Sequence, residues 1–500
     1  MLLSILFFLT LTALASAGGP LRHVLRERAI LRAREKTALH FGAMAPPLDE
    51  FFYQTLDHYS LSSTASGAGY WKQRFWSNST FFERGGRTGP VFLYIEGEGT
   101  GSPYNAIEGE HVDLASTHNA LIVVLEHRFY GASIPTVDLT TESLSLLSSH
   151  QAIGDIASFL RNHVAPTYNI TFPNTKVVTF GGSYPGALSA WTRLRLPHLV
   201  TVGVSTSSPV QASFDFTGYN KVVGESLART SIGGSVECLT AVRTAFTALD
   251  TALETGGAAA RAAGVALNSC EDLSKADPLT IMWAASNYGG LIQGLVQYND
   301  EGGGLDVRGL CVIMSNAANT PFANLAIAVT EAAGSACIEN SYADYVVSAG
   351  NTTADPSARG LGLRQWLYQS CVQFAFWQTC ENRTVCPLSL YMTLSSNSRQ
   401  CGDLFGALFT AQVSASRVIV TNDLLGGQGI KATKVIFVNG LVDPWHSLSV
   451  IDTSPEQLAV IIPDGAHCSQ MGSSRPGDSP EIIAARAQIA AQLMMWLQMS

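Results

Sequence analysis

Val177-Val-Thr-Phe180 runs straight into Gly181-Gly-Ser183-Tyr-Pro-Gly186, and a helical stretch, Ala187 to Leu196, follows. A short apolar run reads as a buried strand. A serine wedged among glycines between such a strand and a helix is the setting of a nucleophile elbow. The turn is so sharp that only small neighbours fit, and it lifts the serine oxygen above the sheet with a helix N-terminus beneath it. The fit to G-x-S-x-G is incomplete, since Pro185 stands where the second glycine is asked for and Gly186 follows one place later. On these residues alone, a glycine turn joining strand to helix is the plainer alternative.

Working outward, Val91 to Ile95 (VFLYI), Leu121 to Leu125 (LIVVL), Val202 to Ser205 (VGVS) and Val435 to Val438 (VIFV) are further short apolar runs of the kind buried parallel strands require. Helical stretches lie between them, such as Ser145 to His163 with Leu146, Ile153, Ile156, Phe159 and Leu160 on one face. Strand alternating with helix argues a parallel α/β sheet. The alternation stops near position 220. Val236, Leu239, Val242, Phe246, Leu249 and Leu253 step by three and four, an amphipathic helix. That helical, cysteine-bearing style persists to about Thr410. Strand-like runs return at Val418-Ile-Val420 and at Ala459 to Ile462, and Ile482 to Met499 reads as a closing helix. The expected organisation is one α/β core in two parts, 46–220 and 411–500, interrupted by a helical cap over 221–410.

Composition sets the class. With 46% hydrophobic and 14% charged residues in 500, the chain has ample apolar material for a core, which excludes general disorder. Its net charge is −9, and the one dense basic stretch, Arg22 to Lys36, nets +4, which leaves −13 for the rest. An acidic body lacks the basic face that displaces counterions from phosphates, so no nucleic-acid partner is expected. Leu2 to Leu14 is apolar and ends in Ala15-Ser-Ala17, a small-x-small cleavage pattern, so 1–17 reads as a signal peptide and 18–45 as a propeptide or flexible basic arm. The apolar run is too short to span a bilayer, and no stable membrane anchor is expected. Asn78, Asn169, Asn351 and Asn382 head N-x-S/T acceptors for glycosylation.

All nine cysteines follow position 237: Cys238, Cys270, Cys311, Cys337, Cys371, Cys380, Cys386, Cys401 and Cys468. They fit an oxidising compartment and a disulfide-stapled second half, with at least one left unpaired in the monomer. Cys468 reads as a disulfide partner. His111, Asp113 and His118 lack ligand spacing and read as surface polar residues, so neither a metal nor a cofactor is expected.

A serine hydroxyl needs a base to take its proton, and the base needs an orienting acid, here in the order Ser, Asp, His. Val435 to Gly440 leads into Leu441-Val-Asp443-Pro-Trp-His446, placing Asp443 at a strand end. After Ala459 to Ile462 comes Pro463-Asp-Gly-Ala-His467-Cys-Ser, again a strand end. The intervals are 260 residues from Ser183 to Asp443 and 24 from Asp443 to His467. Asp464, Asp423 and Asp403 are alternative acids and His446 an alternative base, though Asp423 comes a strand too early and His446 only three residues after the acid.

These residues carry a family resemblance. Gln54-Thr-Leu-Asp-His58, Trp71-Lys-Gln-Arg-Phe75, Gly97-Glu-Gly99, Glu126-His-Arg-Phe-Tyr-Gly-Ala-Ser133, Gly181 to Trp191, Ser207-Ser-Pro-Val210, Asn439 to His446 and Gly465-Ala-His-Cys468 resemble, in order, the S28 family of serine peptidases. In that family Ser-Tyr-Pro-Gly is normal. The resemblance implies an α/β-hydrolase core with a mostly parallel sheet and a helical cap, a triad of Ser183, Asp443 and His467, and exopeptidase cleavage of peptide substrates, typically after proline. It further implies an oxyanion hole from the backbone of Tyr184 and of the Gly97, Glu98 loop. Trp445 is expected to wall an apolar pocket, and a secreted or lysosomal, vacuolar-type location and a homodimer are compatible with it. Two departures stand out: Glu96 where relatives have glycine, which puts the loop's backbone geometry in question, and Gln470 where others have an acid. A lipase or esterase on the same fold, or an inert hydrolase-like binding protein, are the alternatives.

Overall fold

The computed structural model describes residues 45–60, 69–300, 304–334, 336–357 and 360–499. The expected signal peptide and all of the basic arm but its last residue lie outside them. The chain divides into two units. One takes in the described chain up to Phe214, Thr352–Ala375 and the chain from Val413 on, and the other Asp215–Asn351 and Phe376–Gln412.

The first unit is built on eight strands: β1 (Glu50–Thr55), β2 (Tyr70–Asn78), β3 (Val91–Ile95), β4 (Leu121–Leu125), β5 (Val177–Gly182), β6 (Val202–Thr206), β7 (Val435–Gly440) and β8 (Gln457–Ile462). Their order across the sheet is β1-β2-β4-β3-β5-β6-β7-β8, with β2 antiparallel to both its neighbours and every other pair parallel. This is the α/β-hydrolase arrangement. Five runs read as strands from the sequence sit in the middle of the sheet, where both faces are covered; every residue of β4 and β6 is buried. The outer pair β1 and β2 escaped that reading because Glu50-Phe-Phe-Tyr-Gln-Thr55 mixes buried and exposed residues.

Helices cover the sheet, among them α1 (Glu110–His118), α2 (Ser149–Phe159), α3 (Tyr184–Arg195) and α4 (Pro480–Gln498). The core beneath them joins Phe92, Ile122, Val124, Val178, Phe180, Val204, Ile436, Val438 and Val460 to Ile489, Leu493 and Trp496 of α4. Register places the rim that matters. Gly182 of β5 pairs with Thr206 of β6, Thr206 with Val438 of β7, and Gly440 of β7 with Ile462 of β8. The segments that follow β5, β6, β7 and β8 therefore leave the sheet side by side. One expectation is corrected: Val418-Ile-Val420 is helical, within Ala411–Leu425. Its buried residues Ser414, Val418, Thr421 and Leu425 recur at helical spacing, whereas Ile419 and Val420 are exposed, so the β-branched triplet follows packing and not propensity.

The second unit is helical. Val236–Thr255 buries Cys238, Val242, Phe246, Leu249 and Leu253 along one stripe, is capped by Ser235 accepting from the Cys238 N–H, and ends at Gly256 with φ 69°. Asp277 caps Pro278–Gln297 in the same way. Disulfides Cys238–Cys311, Cys270–Cys337 and Cys380–Cys386 staple the unit. Cys371 and Cys401 are also disulfide-bonded.

Candidate active site

The turn after β5 is shaped by what a methyl group would hit. A Cβ on Gly181 would lie 2.2 Å from the Pro185 carbonyl oxygen, and one on Gly186 2.6 Å from the Thr206 oxygen. A Cβ on Gly182 would lie 2.4 Å from Met471 Sδ and 2.8 Å from Cys468 Sγ. Small residues are therefore obligatory on both sides of Ser183, which itself holds φ 64°, ψ −132°, a conformation that non-glycine residues rarely adopt and that marks functional turns. The Ser183 N–H donates to the Thr206 carbonyl at 2.9 Å, and the Ala187 N–H to the Ser183 carbonyl at 3.1 Å, so Ser183 opens α3 while tied to β6.

Asp443 and His467 meet at the same rim. His467 Nδ1 donates to Asp443 Oδ2 at 2.9 Å, and Asp443 Oδ1 accepts the Trp445 N–H at 3.0 Å. Both side chains are buried. Burial disfavours the imidazolium, but the Asp443 carboxylate and the Cys468 sulfur beside it win, and His467 is held well above the usual histidine range. The two strand ends are stitched together: Val442 N–H donates to Gly465 O at 3.0 Å and Leu441 N–H to Ile462 O at 3.1 Å, and a Cβ on Gly440 would lie 2.1 Å from Gly465 O. The residue after β6 completes the bracket, because Ser207 Oγ accepts the Cys468 N–H at 2.9 Å. The last residue of β6, Thr206, thus holds the serine turn, and the residue after it, Ser207, holds the histidine loop.

The alternatives fall elsewhere. His446 turns its Nδ1 to the Asp443 backbone oxygen, 2.7 Å away, Asp423 is exposed on its helix, and Asp403 accepts from Tyr342 and Arg399 in the helical unit. Cys468, expected in a disulfide, is a free thiol; all eight other cysteines are bonded, and its position beside Gly182 faces the serine turn and no second cysteine. His111 is buried, not a surface residue, with Nε2 2.6 Å from the Asn105 carbonyl and its ring centroid 4.5 Å from that of Tyr94.

The loop after β3 lies against the turn, since a Cβ on Gly97 would come within 2.5 Å of Pro185 Cγ. Glu96 is not among the residues with positive φ. Its carboxylate instead shapes the loop, accepting from the Ser102 N–H at 3.0 Å and Asn105 Nδ2 at 2.7 Å. The Glu98 carbonyl receives the Gly362 N–H at 3.1 Å. Tyr184 is the first residue of α3, where backbone N–H groups have no partner inside the helix. Trp445 is buried, its ring centroid 6.5 Å from that of His467.

Sequence reasoning missed the polar cluster under Tyr184. Its hydroxyl lies 2.9 Å from His127 Nε2, 3.2 Å from Ser149 Oγ and 2.9 Å from Gln369 Nε2, and Gln369 Oε1 accepts from Tyr130 at 2.6 Å. His127 Nδ1 donates to the Arg128 carbonyl at 2.7 Å, which leaves Nε2 to accept the tyrosine proton. Burial drives His127 down to about 4, so it stays neutral. In the sequence its signal is the polar and aromatic stretch Glu126 to Ser133, which holds both His127 and Tyr130. Of the glycosylation acceptors, Asn169, Asn351 and Asn382 are exposed, whereas Asn78 is half-buried and donates to the Ala106 carbonyl at 2.9 Å.

A family model described as serine carboxypeptidase S28 matches residues 54–489. The chain is similar to the thymus-specific serine protease of Homo sapiens, 39% identical over 469 residues that cover 92% of this chain and 88% of the relative. Against the thymus-specific serine protease of Mus musculus it is 38% identical, over 98% of this chain and 97% of the relative. Against the lysosomal Pro-X carboxypeptidase of Bos taurus it is 25% identical, over 89% and 87%. Among the described residues no helix is long and apolar enough to cross a membrane.

Proposed function

Because this chain belongs to the serine carboxypeptidase S28 family, and so is a serine peptidase on an α/β-hydrolase core, we propose that it is an exopeptidase that cleaves after proline through Ser183, His467 and Asp443. Ser183 attacks the scissile carbonyl. His467, its Nδ1 committed to Asp443, takes the serine proton on Nε2 and returns it to the leaving amine. Asp443, fixed by the Trp445 N–H, holds that tautomer. The backbone N–H of Tyr184 and the Gly97, Glu98 loop stabilise the oxyanion, each donor worth roughly 10²- to 10³-fold in kcat. The observation that carries this reading is the His467–Asp443 bond on a loop bracketed by β6 to the left-handed turn of Ser183.

Cleavage after proline draws support from the Pro-X carboxypeptidase relative and from Trp445, an apolar wall suited to a pyrrolidine ring. The disulfides and the lysosomal relative support a secretory-pathway location. Labelling by a fluorophosphonate probe tests the serine chemistry: the wild type is expected to react and Ser183→Ala not, and a folded wild type that stays unlabelled overturns it. The mass lost from an Xaa-Pro-Xaa-Pro-Xaa peptide reads which end is clipped. Turnover of p-nitrophenyl esters without any peptide cleavage would make the protein an esterase.

A further inference from the structure

The donors assigned to the oxyanion lie on separate parts of the chain, the loop at Gly97 and Glu98 and the first residue of α3, yet one further segment holds both. The unit that carries the sheet includes Thr352–Ala375, which in the chain is flanked on either side by stretches of the helical unit. Within that segment the Gly362 N–H donates to the Glu98 carbonyl at 3.1 Å, and the Gly360 carbonyl accepts the Thr100 N–H at 3.0 Å. The two bonds make an antiparallel bridge between Gly99 and Leu361. The loop after β3 is thus paired, backbone to backbone, with residues 360–362.

The segment continues as a short helix, Leu363–Gln369, whose last residue reaches the nucleophile turn. Gln369 is fully buried; its Nε2 donates to the Tyr184 hydroxyl at 2.9 Å and its Oε1 accepts from the Tyr130 hydroxyl at 2.6 Å. Proton directions follow from His127, whose Nδ1–H is spent on a carbonyl. Nε2 then accepts, so the Tyr184 hydroxyl donates to it and receives from Gln369 and Ser149, which uses all its hydrogen-bonding capacity. One turn on, Gln373 Oε1 accepts the Ser149 N–H at 3.1 Å, which ties the start of α2 to the same segment.

The segment is itself anchored to the core unit. Gln365 Nε2 donates to the Phe129 carbonyl at 3.0 Å and Arg364 Nε to the Leu139 carbonyl at 2.8 Å. A Cβ on Gly362 would lie 2.7 Å from Tyr130 Cδ1, so the chain passes that ring only as glycine. The Tyr184 ring packs on Trp366 and Phe374 of the segment, with centroids 5.8 and 5.3 Å away. With ring and hydroxyl both held, only the two side-chain torsions of Tyr184 separate the anchor from its backbone, so the Gln369 amide bears directly on where that N–H points.

We propose that residues 360–369 brace the oxyanion hole, and that Gln369 is a positioning residue which, through the Tyr184 hydroxyl, sets the Tyr184 N–H in register with the loop after β3. The proposal rests on the serine-peptidase mechanism proposed above. Gln369 touches no reacting atom. Its influence falls on the charge that develops on the attacked oxygen, which a preorganised donor stabilises more than it stabilises the bound ground state.

The test is the saturation kinetics of fluorophosphonate labelling of the full-length glycosylated protein, with the limiting rate kinact read separately from the binding constant KI. Gln369→Leu deletes both amide bonds at similar volume, and is expected to lower kinact about tenfold with KI within about twofold. Because the amide acts through one hydroxyl, Tyr184→Phe is expected to give a similar loss, and adding Gln369→Leu to it to cost less than about a further threefold. An unchanged kinact in folded Gln369→Leu overturns the proposal, as do losses that multiply in the double variant or a loss confined to KI. Should Gln369→Leu fail to fold, Tyr184→Phe alone decides: the same fall in kinact at constant KI supports the brace, and a wild-type kinact overturns it. Labelling that survives Ser183→Ala would defeat the triad instead, whatever the brace variants do.

Discussion

Replacing Asp443 with asparagine tests the arrangement most sharply, because the surrounding bonds dictate which way the new amide must face. In the wild type Oδ1 accepts the Trp445 N–H and Oδ2 the His467 Nδ1–H. In Asp443→Asn the Trp445 N–H can be satisfied only by the amide oxygen, so the NH2 group turns towards His467. The imidazole must then accept at Nδ1 and carry its proton on Nε2, where it cannot take one from Ser183. Flipping the amide to rescue the tautomer leaves the buried Trp445 N–H facing an NH2, a penalty of about 1–3 kcal/mol. The lost carboxylate support for the imidazolium adds to this, and together they amount to about 10⁴ in kcat, or ~5.5 kcal/mol. The assay is single-turnover acylation by an active-site titrant at pH 7.5, with KM or binding measured separately and folding checked by circular dichroism. A variant within tenfold of wild type would refute the tautomer argument.

Stability gives a second readout with a defined sign. Because the folded His467 is raised above its unfolded value, its pair with Asp443 contributes fully below about pH 6.5 and fades as pH rises through the folded value. Asp443→Asn should therefore lower Tm most at acid pH, and the gap to wild type should close on the alkaline side. A gap that widens as pH rises would refute the sign.

Other consequences are read more simply. Tyr184→Phe removes the hydroxyl that satisfies His127, Ser149 and Gln369, and is expected to cost about 1–3 kcal/mol in urea denaturation. Gly181→Ala drives a methyl onto the backbone oxygen of Pro185, so labelling of Ser183 should fall at least 100-fold or the protein should fail to accumulate; near-normal labelling would contradict the close approach. Peptide mapping after glycosidase release should find glycans at Asn169, Asn351 and Asn382, and little at half-buried Asn78. The double change Cys238→Ser, Cys311→Ser opens a 73-residue separation and should destabilise the helical unit by about 4 kcal/mol by chain entropy, measured by denaturant unfolding of that unit.

Much of the sheet was legible because its central strands are covered on both faces and so must be continuously apolar: VFLYI, LIVVL and the run before Ser183 announce themselves without any partner. The order of Ser183, Asp443 and His467 was legible for a related reason, since each follows such a run and parallel strands deliver their ends to one rim. Packing decided the rest. Val418 to Val420 is helical because Ser414, Thr421 and Leu425 share its buried stripe, a fact about neighbours and not about β-branching. Cys468 is a free thiol whose sulfur lies beside Gly182, a placement that no count of cysteines reveals. The hydroxyl cluster of Tyr184, and the bond from Gln470 to Thr206 across 264 positions of chain, exist only where helices close over strand ends. Local pattern reports what a residue's own stretch must bury, whereas the partner of a buried polar group is chosen by the part of the chain that folds against it.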